Sequence, residues 1–103
     1  MVRMIVVHCH LRSKPQHRDE TVAALVAVQE ATRERDPGCL HYAYLADLQD
    51  PNAFTCVEEW TDAESLAAHV ASPHVAECDA VLARTADGPE QISVFAADPT
   101  RFP

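Results

Sequence analysis

The sequence has few glycines, few cations and no long apolar run, and each shortage excludes a class of protein. Only two of the 103 residues are glycine, which leaves no glycine-rich loop to hold the phosphates of a nucleotide cofactor. Eight Lys and Arg stand against sixteen Asp and Glu, for a net charge of −8, and this argues against nucleic acid or an anionic membrane as partner. No apolar run approaches the roughly 18 residues that a membrane span needs. We therefore expect a cytoplasmic protein without such a cofactor.

The cysteines follow neither a disulfide framework nor a zinc pattern. They are Cys9, Cys39, Cys56 and Cys78. Their spacing is wide and irregular, and it contains no C-x-x-C pair. The pattern is typical of buried thiols in a reducing compartment.

Hydrophobic periodicity predicts one domain over residues 1–103, with a core at about 2–97 and a tail at 98–103. The predicted elements are a strand at 2–11, a helix at 17–35, strands at 39–48 and 53–60, helices at 62–71 and 73–84, and a strand at 91–97. Thr61-x-x-Glu64 is a capping-box pattern and should begin the helix at 62–71. Ser72 followed by Pro73 should begin the next helix.

The element order β-α-β-β-α(α)-β predicts an α+β ferredoxin-like βαββαβ plait whose second helix is split in two. Two crossover helices cover only one face of a four-stranded sheet. We expect Val6, Phe54 and Trp60 on the other face, which would then be too apolar for open water. A second copy of the chain, packed sheet to sheet across a two-fold axis, is the simplest cover. The order therefore predicts a homodimer through the open sheet face.

A series of short motifs extends from residue 37 to residue 74. The motifs are Pro37-Gly38-Cys39-Leu40, Tyr42, Asp50-Pro51-Asn52 with Phe54, Glu58-Glu59-Trp60, Leu66-Ala67-Ala68-His69 and Ser72-Pro73-His74. Their order and spacing resemble the antibiotic biosynthesis monooxygenase family. The resemblance implies a dimeric α+β barrel made of two plaits. It also implies a cofactor-free oxygenase of anthrones and quinols, a haem-degrading enzyme, or an isomerase of a phosphorylated sugar derivative, since one fold hosts several reactions.

The resemblance directs attention to the strand face that carries Phe54, Cys56, Glu58 and Trp60. Strand residues two positions apart point to the same side, so these four share a face. Trp60 and Phe54 would hold a flat aromatic substrate, and Cys56 would line the same pocket. A Glu58 carboxyl on this apolar face must either be paired with the backbone or a His, or have a raised pKa that would suit proton transfer. Tyr42 would line the pocket or the dimer seam.

Three histidines are candidates for the remaining chemistry. His69 would act as the base, with Glu58 fixing its tautomer. His8 is a second candidate base. It shares a strand face with His10, and a His-x-His pair is a possible metal half-site, but no further ligand has a convincing spacing and we expect no metal. His74 would contact an anionic group of the substrate at a helix N-terminus, or be an exposed cap residue.

Two departures from the family patterns narrow the activity. The haem-degrading branch has a His ten residues after the position of His69, where this chain has Asp79, so haem ligation is not expected. The anthrone oxygenases have an Asn four residues before the Trp, where this chain has Cys56, a poor hydrogen-bond partner for an enolate. The leading hypothesis is a cofactor-independent monooxygenase that deprotonates a small aromatic substrate (a quinol, anthrone or phenol) for reaction with O₂. The alternatives are an isomerase of a phosphorylated or keto-enol metabolite and a non-catalytic binding module for a hydrophobic metabolite.

Overall fold

The computed structural model describes residues 3–103, and its elements follow the predicted order. They are β1 (Met4–Arg12), α1 (Arg18–Arg35), β2 (Cys39–Ala46), β3 (Ala53–Trp60), α2 (Ala63–Val70), α3 (Pro73–Thr85) and β4 (Gln91–Ala97). A 3-10 turn at Pro15–His17 leads into α1. The predicted start of the first strand, at residue 2, lies outside the described residues. None of the helices in residues 3–103 is long and apolar enough to span a membrane.

The four strands form one antiparallel sheet in the order β2-β3-β1-β4. The two central strands are therefore β1 and β3, which confirms the α+β ferredoxin-like plait. Val7 of β1 lies opposite Glu58 of β3 on one side and Val94 of β4 on the other, and Cys9 lies opposite Cys56. Because cross-strand partners point to the same side of a sheet, these residues form one surface.

The helices cover the face that carries Phe54 and Trp60, so the sequence prediction for these two residues is wrong. Trp60 is 0% exposed and Phe54 is 6% exposed. Of the three residues predicted for the open face, Val6 alone lies there. Its cross-strand partner is Glu59, and Glu59 points to the side of the sheet opposite to the buried Trp60. Alternation assigns residues to two faces but does not say which face the helices cover.

The hydrophobic core lies between this covered face and the helices α1 and α3. Its buried members are Val7, Cys9, Leu11, Leu25, Val28, Tyr42, Phe54, Cys56, Trp60, Cys78 and Leu82. Fully burying one aliphatic side chain of this kind contributes roughly 1.5–3 kcal/mol. All four cysteines are free, and three of them are buried while Cys39 is partly exposed. The expectation of buried thiols is thus confirmed for three of the four.

Side-chain caps begin both short helices. Ser72 accepts a hydrogen bond from the backbone N–H of Val75 at the start of α3, as predicted. Asp62 rather than Thr61 caps α2, where its carboxylate accepts from the backbone N–H of Ser65 at 2.8 Å. The capping-box prediction is therefore displaced by one residue, because the neighbouring carboxylate is the stronger acceptor.

Gly38 forms the tight turn between α1 and β2. Its φ of +82° is a left-handed conformation that favours glycine. Its carbonyl accepts from the backbone N–H of Thr61 at 2.9 Å, and a Cβ at this position would overlap the side chains of Ser65 and Thr61. This close approach brings the segment that contains Asp36 against the start of α2.

We predict that Gly38→Ala destabilises the fold more than Gly88→Ala. Both glycines have positive φ, +82° and +87°, so both variants lose roughly 1–2 kcal/mol to left-handed backbone. Only Gly38→Ala adds a steric clash, because a Cβ at Gly88 would have no atom within 4 Å from the described residues other than Gly88 and its two chain neighbours. In urea unfolding, the free energy of unfolding of Gly38→Ala should be lower than that of Gly88→Ala by about 1–3 kcal/mol, which is the typical cost of overpacking. Equal stabilities would contradict the close packing of this turn.

Candidate active site

A cavity of about 560 Å³ lies between the covered face of the sheet and the helices α2 and α3. Its size suits a small organic ligand. Most of its lining is apolar, with Val7 and Val94 on the sheet side and Leu66, Val75 and Leu82 on the helix side. The side chains with polar atoms in the lining are Cys9, Tyr42, Tyr44, Glu58, His69, Cys78, Asp79 and Glu90. The cavity thus combines a mostly apolar lining, open to solvent at Val70, Ile92 and Val94, with a small set of groups that can exchange protons or form hydrogen bonds.

Glu58 is a buried carboxyl group in the cavity wall. It is 6% exposed, and its Oε1 accepts a hydrogen bond from Nε1 of Trp60 at 3.0 Å. Burial raises the pKa of Glu58, while the Trp60 N–H and the nearby His69 partly offset this effect. A carboxyl group with a raised pKa can give or take a proton closer to neutral pH. The pKa is thus raised although Glu58 is paired, and its partner is Trp60 rather than the backbone or a His.

Asp36 joins His69 and His74, and the sequence analysis missed this contact. Oδ2 of Asp36 lies 2.6 Å from Nδ1 of His69 and 2.9 Å from Nε2 of His74. Because a carboxylate only accepts hydrogen bonds, both ring nitrogens carry their proton toward Asp36. In His69 this leaves Nε2 as the unprotonated nitrogen of the neutral ring. Since His69 lines the cavity, Nε2 is the atom available to a ligand there.

The predicted hydrogen bond between Glu58 and His69 is wrong. Glu58 bonds Trp60, and His69 bonds Asp36. The two residues are nevertheless neighbours, because both line the cavity and the Trp60 ring stacks at a tilt on the His69 ring with 4.7 Å between centroids. Trp60 therefore contacts both groups that could transfer a proton.

Three residues predicted to contact a substrate lie behind the cavity wall instead. Trp60 and Cys56 are fully buried, Phe54 is nearly so, and none of the three lines the cavity. Trp60 packs edge-on against Tyr42 and supports His69 from behind. Tyr42, which the sequence also pointed to, does line the cavity, and so does Tyr44 on the same strand. Trp60 is thus placed to position other groups rather than to stack on a ligand.

His8 and His74 also lie away from the cavity. The ring of His8 is on the open face, 5.7 Å from the ring of Phe95, so the sheet separates it from Glu58. His10, on the same face, bonds Thr55 at 2.9 Å. His74 is buried against Asp36 and is not an exposed cap residue. The second candidate base therefore does not share a cavity with the first within one chain.

Cys9 and Glu90 line the cavity near β4, and no sequence signal singled them out. The Sγ of Cys9 donates to Oε2 of Glu90 at 2.8 Å. Burial and this hydrogen bond raise the pKa of the Cys9 thiol, and Glu58 adds to the effect. The thiol is therefore a neutral donor at physiological pH rather than a nucleophile.

The other phenols and thiols around the cavity are neutral for the same reason. Burial is the main cause that raises the pKa of Tyr42, Tyr44 and Cys56 well above their usual ranges, and it raises the pKa of Cys78 to about 12. At pH 7 these groups offer hydrogen bonds without charge.

Asp36, His69 and His74 are also the residues that could hold a metal ion. One donor atom from each lies within 4.8 Å of the other two. One carboxylate and two imidazoles are donors that zinc and iron accept. In this structure both ring nitrogens are hydrogen-bonded to the Asp36 carboxylate, so an ion would have to displace both ring protons.

Comparison with known families identifies the fold's relatives. A sequence model described as antibiotic biosynthesis monooxygenase matches residues 4–81, well over half of the chain. The chain belongs to this family.

Solved structures agree with the antibiotic biosynthesis monooxygenase assignment. A conserved protein from Methanosarcina mazei Go1 is 27% identical with a TM-score of 0.87, and the match covers 94% of this chain and 95% of that one. A protein from Deinococcus radiodurans, provisionally assigned as an antibiotic biosynthesis monooxygenase, is 25% identical with a TM-score of 0.86 and coverage of 95% and 96%. A provisionally assigned monooxygenase from Caulobacter crescentus CB15, at 19% identity, shares the fold with a TM-score of 0.89 and coverage of 95% and 92%. No curated protein matches the chain. At the family level, the comparisons support a monooxygenase.

We predict that Glu58→Gln stabilises the protein at neutral pH. The raised pKa means that the folded state holds the Glu58 proton to higher pH than the unfolded chain. The contribution of this group to stability therefore falls as pH rises above its unfolded value of about 4.5. Glu58→Gln should melt higher than wild type near pH 7, and the difference should shrink toward pH 4.

Thermal melts across this pH range test the expectation. The matched control is Glu30→Gln, the same charge change at an exposed position of α1. For the control, the difference in melting temperature from wild type should not change with pH. A difference for Glu58→Gln that is equally constant would contradict the role of the buried carboxyl group.

Proposed function

We propose that this protein is a cofactor-independent monooxygenase that oxidises a small aromatic substrate, a quinol, phenol or anthrone-like carbon acid, with O₂. One observation carries the proposal. A histidine in the wall of a largely apolar cavity is hydrogen-bonded through its far nitrogen to a carboxylate, and this is the arrangement of an oriented general base.

The first step is proton transfer from the substrate to Nε2 of His69. The hydrogen bond from Nδ1 to Asp36, at 2.6 Å, selects the tautomer in which Nε2 accepts. When His69 becomes an imidazolium, its charge forms next to the Asp36 carboxylate, which stabilises it. Trp60 stacks behind the ring and restricts its rotation. The base is thus held in one protonation pattern and one orientation.

The second step is electron transfer from the deprotonated substrate to O₂. A phenolate or carbanion is a far better electron donor than the neutral molecule. For a substrate in which a ring CH₂ becomes a carbonyl, one oxygen atom enters the product, and the other leaves with the two hydrogens as water. This balance needs no outside reductant. The apolar lining favours the step by keeping water away from the side of the reactive anion that contacts the cavity wall.

Glu58 is placed to serve the later proton transfers. Its carboxyl group lines the same cavity as His69 and is held by the Trp60 N–H. With a raised pKa, it can return a proton when the oxygenated intermediate loses water. His69 and Glu58 then act in sequence, without a direct hydrogen bond between them.

A homodimer through the open sheet face is part of the same proposal. This face carries apolar side chains that the helices leave uncovered, including Val57 on β3, Leu45 on β2 and Phe95 on β4. Leu45 is 52% exposed and Phe95 is 50% exposed. Apolar surface of this kind favours a partner, and a second copy packed sheet to sheet would give the dimeric barrel that the family resemblance implies.

We expect wild-type protein to consume O₂ with at least one of a panel of anthrones, dihydroxynaphthalenes and quinols, above the autoxidation blank. His69→Ala removes the base and should lower the rate by about 10²–10⁴-fold. Asp36→Asn keeps the shape but removes the charge that stabilises the imidazolium, so it should lower kcat with little change in KM. His17→Ala, at a partly exposed histidine of the 3-10 turn, is the control and should be unaffected.

The outcomes separate the alternatives. Uptake that persists in His69→Ala would reject this base. If no substrate of the panel supports uptake, the monooxygenase proposal fails. Proton exchange or isomerisation of a keto-enol compound, followed by NMR, would then favour an isomerase, and binding without any product would favour a binding module.

The dimer is tested by size-exclusion chromatography with light scattering. We expect a mass of twice the 11.3 kDa chain at micromolar concentration. Val57→Arg buries a charge at the centre of the proposed interface and should shift the protein to the monomer. Leu48→Arg, at a fully exposed position of the β2–β3 turn, should not. A wild-type monomer, or equal behaviour of the two variants, would contradict the sheet-to-sheet dimer.

A further inference from the structure

The charges around the 560 Å³ cavity are all of one sign. Glu58, Asp79 and Glu90 line it, and within residues 3–103 no Lys or Arg does. From this we infer that the cavity takes an uncharged or positively charged aromatic substrate and rejects one that carries a phosphate or carboxylate. This inference rests on the proposed function, because it names the charge class of the substrate for that same cavity.

His69 does not supply the missing positive charge. It is the one lining side chain other than the carboxyl, phenol and thiol groups that can ionise. Its Nδ1 lies 2.6 Å from the Asp36 carboxylate, so the negative charge of that carboxylate would neutralise a positive charge on the ring. An anionic ligand group would therefore meet a neutral ion pair rather than a free cation.

Two of the carboxyl groups, those of Glu58 and Glu90, lie near the same part of the sheet surface. Glu90 accepts from the thiol of Cys9 at 2.8 Å, and Cys9 lies two residues after Val7 on the same face of β1, where Val7 pairs with Glu58. Their mutual influence appears in the charge interaction between Glu90 and Glu58, which adds to the effect of burial on Glu58. A third negative charge placed beside them would be repelled, and the repulsion is greatest next to Glu58, the most deeply buried of these carboxyl groups.

This charge pattern bears on the alternatives that the family resemblance leaves open. An enzyme that binds a phosphorylated substrate needs donors of positive charge, such as Arg, Lys or a free helix N-terminus, at the phosphate. The lining offers three carboxyl groups instead. A phosphorylated sugar derivative is therefore the substrate class that this chain fits least well.

Glu90 is the residue through which the inference can be tested. It is partly exposed at the start of β4, whereas Glu58 is deeply buried and bonded to Trp60. Glu90→Gln removes the charge but keeps an oxygen that can accept from the Cys9 thiol. The control is Glu64→Gln on α2, which makes the same change in net charge at an exposed side chain outside the cavity lining.

The test uses three ligands with one ring system, namely 2-naphthol, 2-naphthylmethylammonium and 2-naphthoate. Their affinities are measured by calorimetry near pH 7, at low ionic strength and without O₂. We expect wild type to bind the neutral and cationic ligands at least about tenfold more tightly than naphthoate, as a single charge repulsion in partly dehydrated surroundings predicts. In Glu90→Gln, this ratio of affinities should be several-fold smaller than in wild type. In Glu64→Gln, the ratio should be unchanged.

Several results would overturn the inference. One is naphthoate binding as tightly as naphthol. Another is a ratio of affinities that falls equally in Glu90→Gln and Glu64→Gln, because such a result would reflect the net charge of the protein alone. Failure of all three ligands to bind would reject the cavity as an aromatic site. Because binding is measured without O₂, the charge ranking can hold while O₂ uptake fails, and uptake can occur without the ranking, so the two proposals fail separately.

Discussion

A single carboxylate fixes the relative positions of the three helices. Asp36 follows α1 and contacts His69 of α2 and His74 of α3 through one oxygen. Both imidazoles are buried, and without this partner each would leave an unsatisfied polar group at a cost of roughly 1–3 kcal/mol. The turn at Gly38 makes the contact reachable, because it allows the chain after α1 to approach α2 closely. The geometry of the cavity wall depends on this junction.

The same junction connects stability with chemistry. The interaction that anchors α2 also favours the tautomer of His69 with its proton on Nδ1, and so leaves Nε2 as the nitrogen that can accept a proton. Trp60 likewise serves both the core and the site. It is buried in the core, and it contacts Glu58 through its N–H and His69 through its ring. Residues that support the core are therefore also the residues that orient the polar groups of the site.

Glu58 is the exception, because its burial does not stabilise the fold. A buried carboxyl group is disfavoured in its charged form, and one hydrogen bond from Trp60 offsets this only in part. A group of this kind in a cavity is a candidate for function, since the same desolvation that costs stability moves its proton affinity toward neutral pH. Its placement opposite Val7, in a cavity whose lining is mostly apolar, supports such a role.

Three features were predictable from the sequence alone: the order of the elements with bounds correct to within two residues, the sharing of one face by Phe54, Cys56, Glu58 and Trp60, and the family. These follow from local periodicity, from Pro and Gly at the ends of elements, and from short motifs. Only the tertiary structure decided that the helices cover this face and that Trp60 lies behind the cavity wall. It also decided that His69 bonds Asp36, 33 positions away, and that Cys9 bonds Glu90, 81 positions away. Contacts between residues so far apart depend on how whole elements pack, which no local pattern encodes.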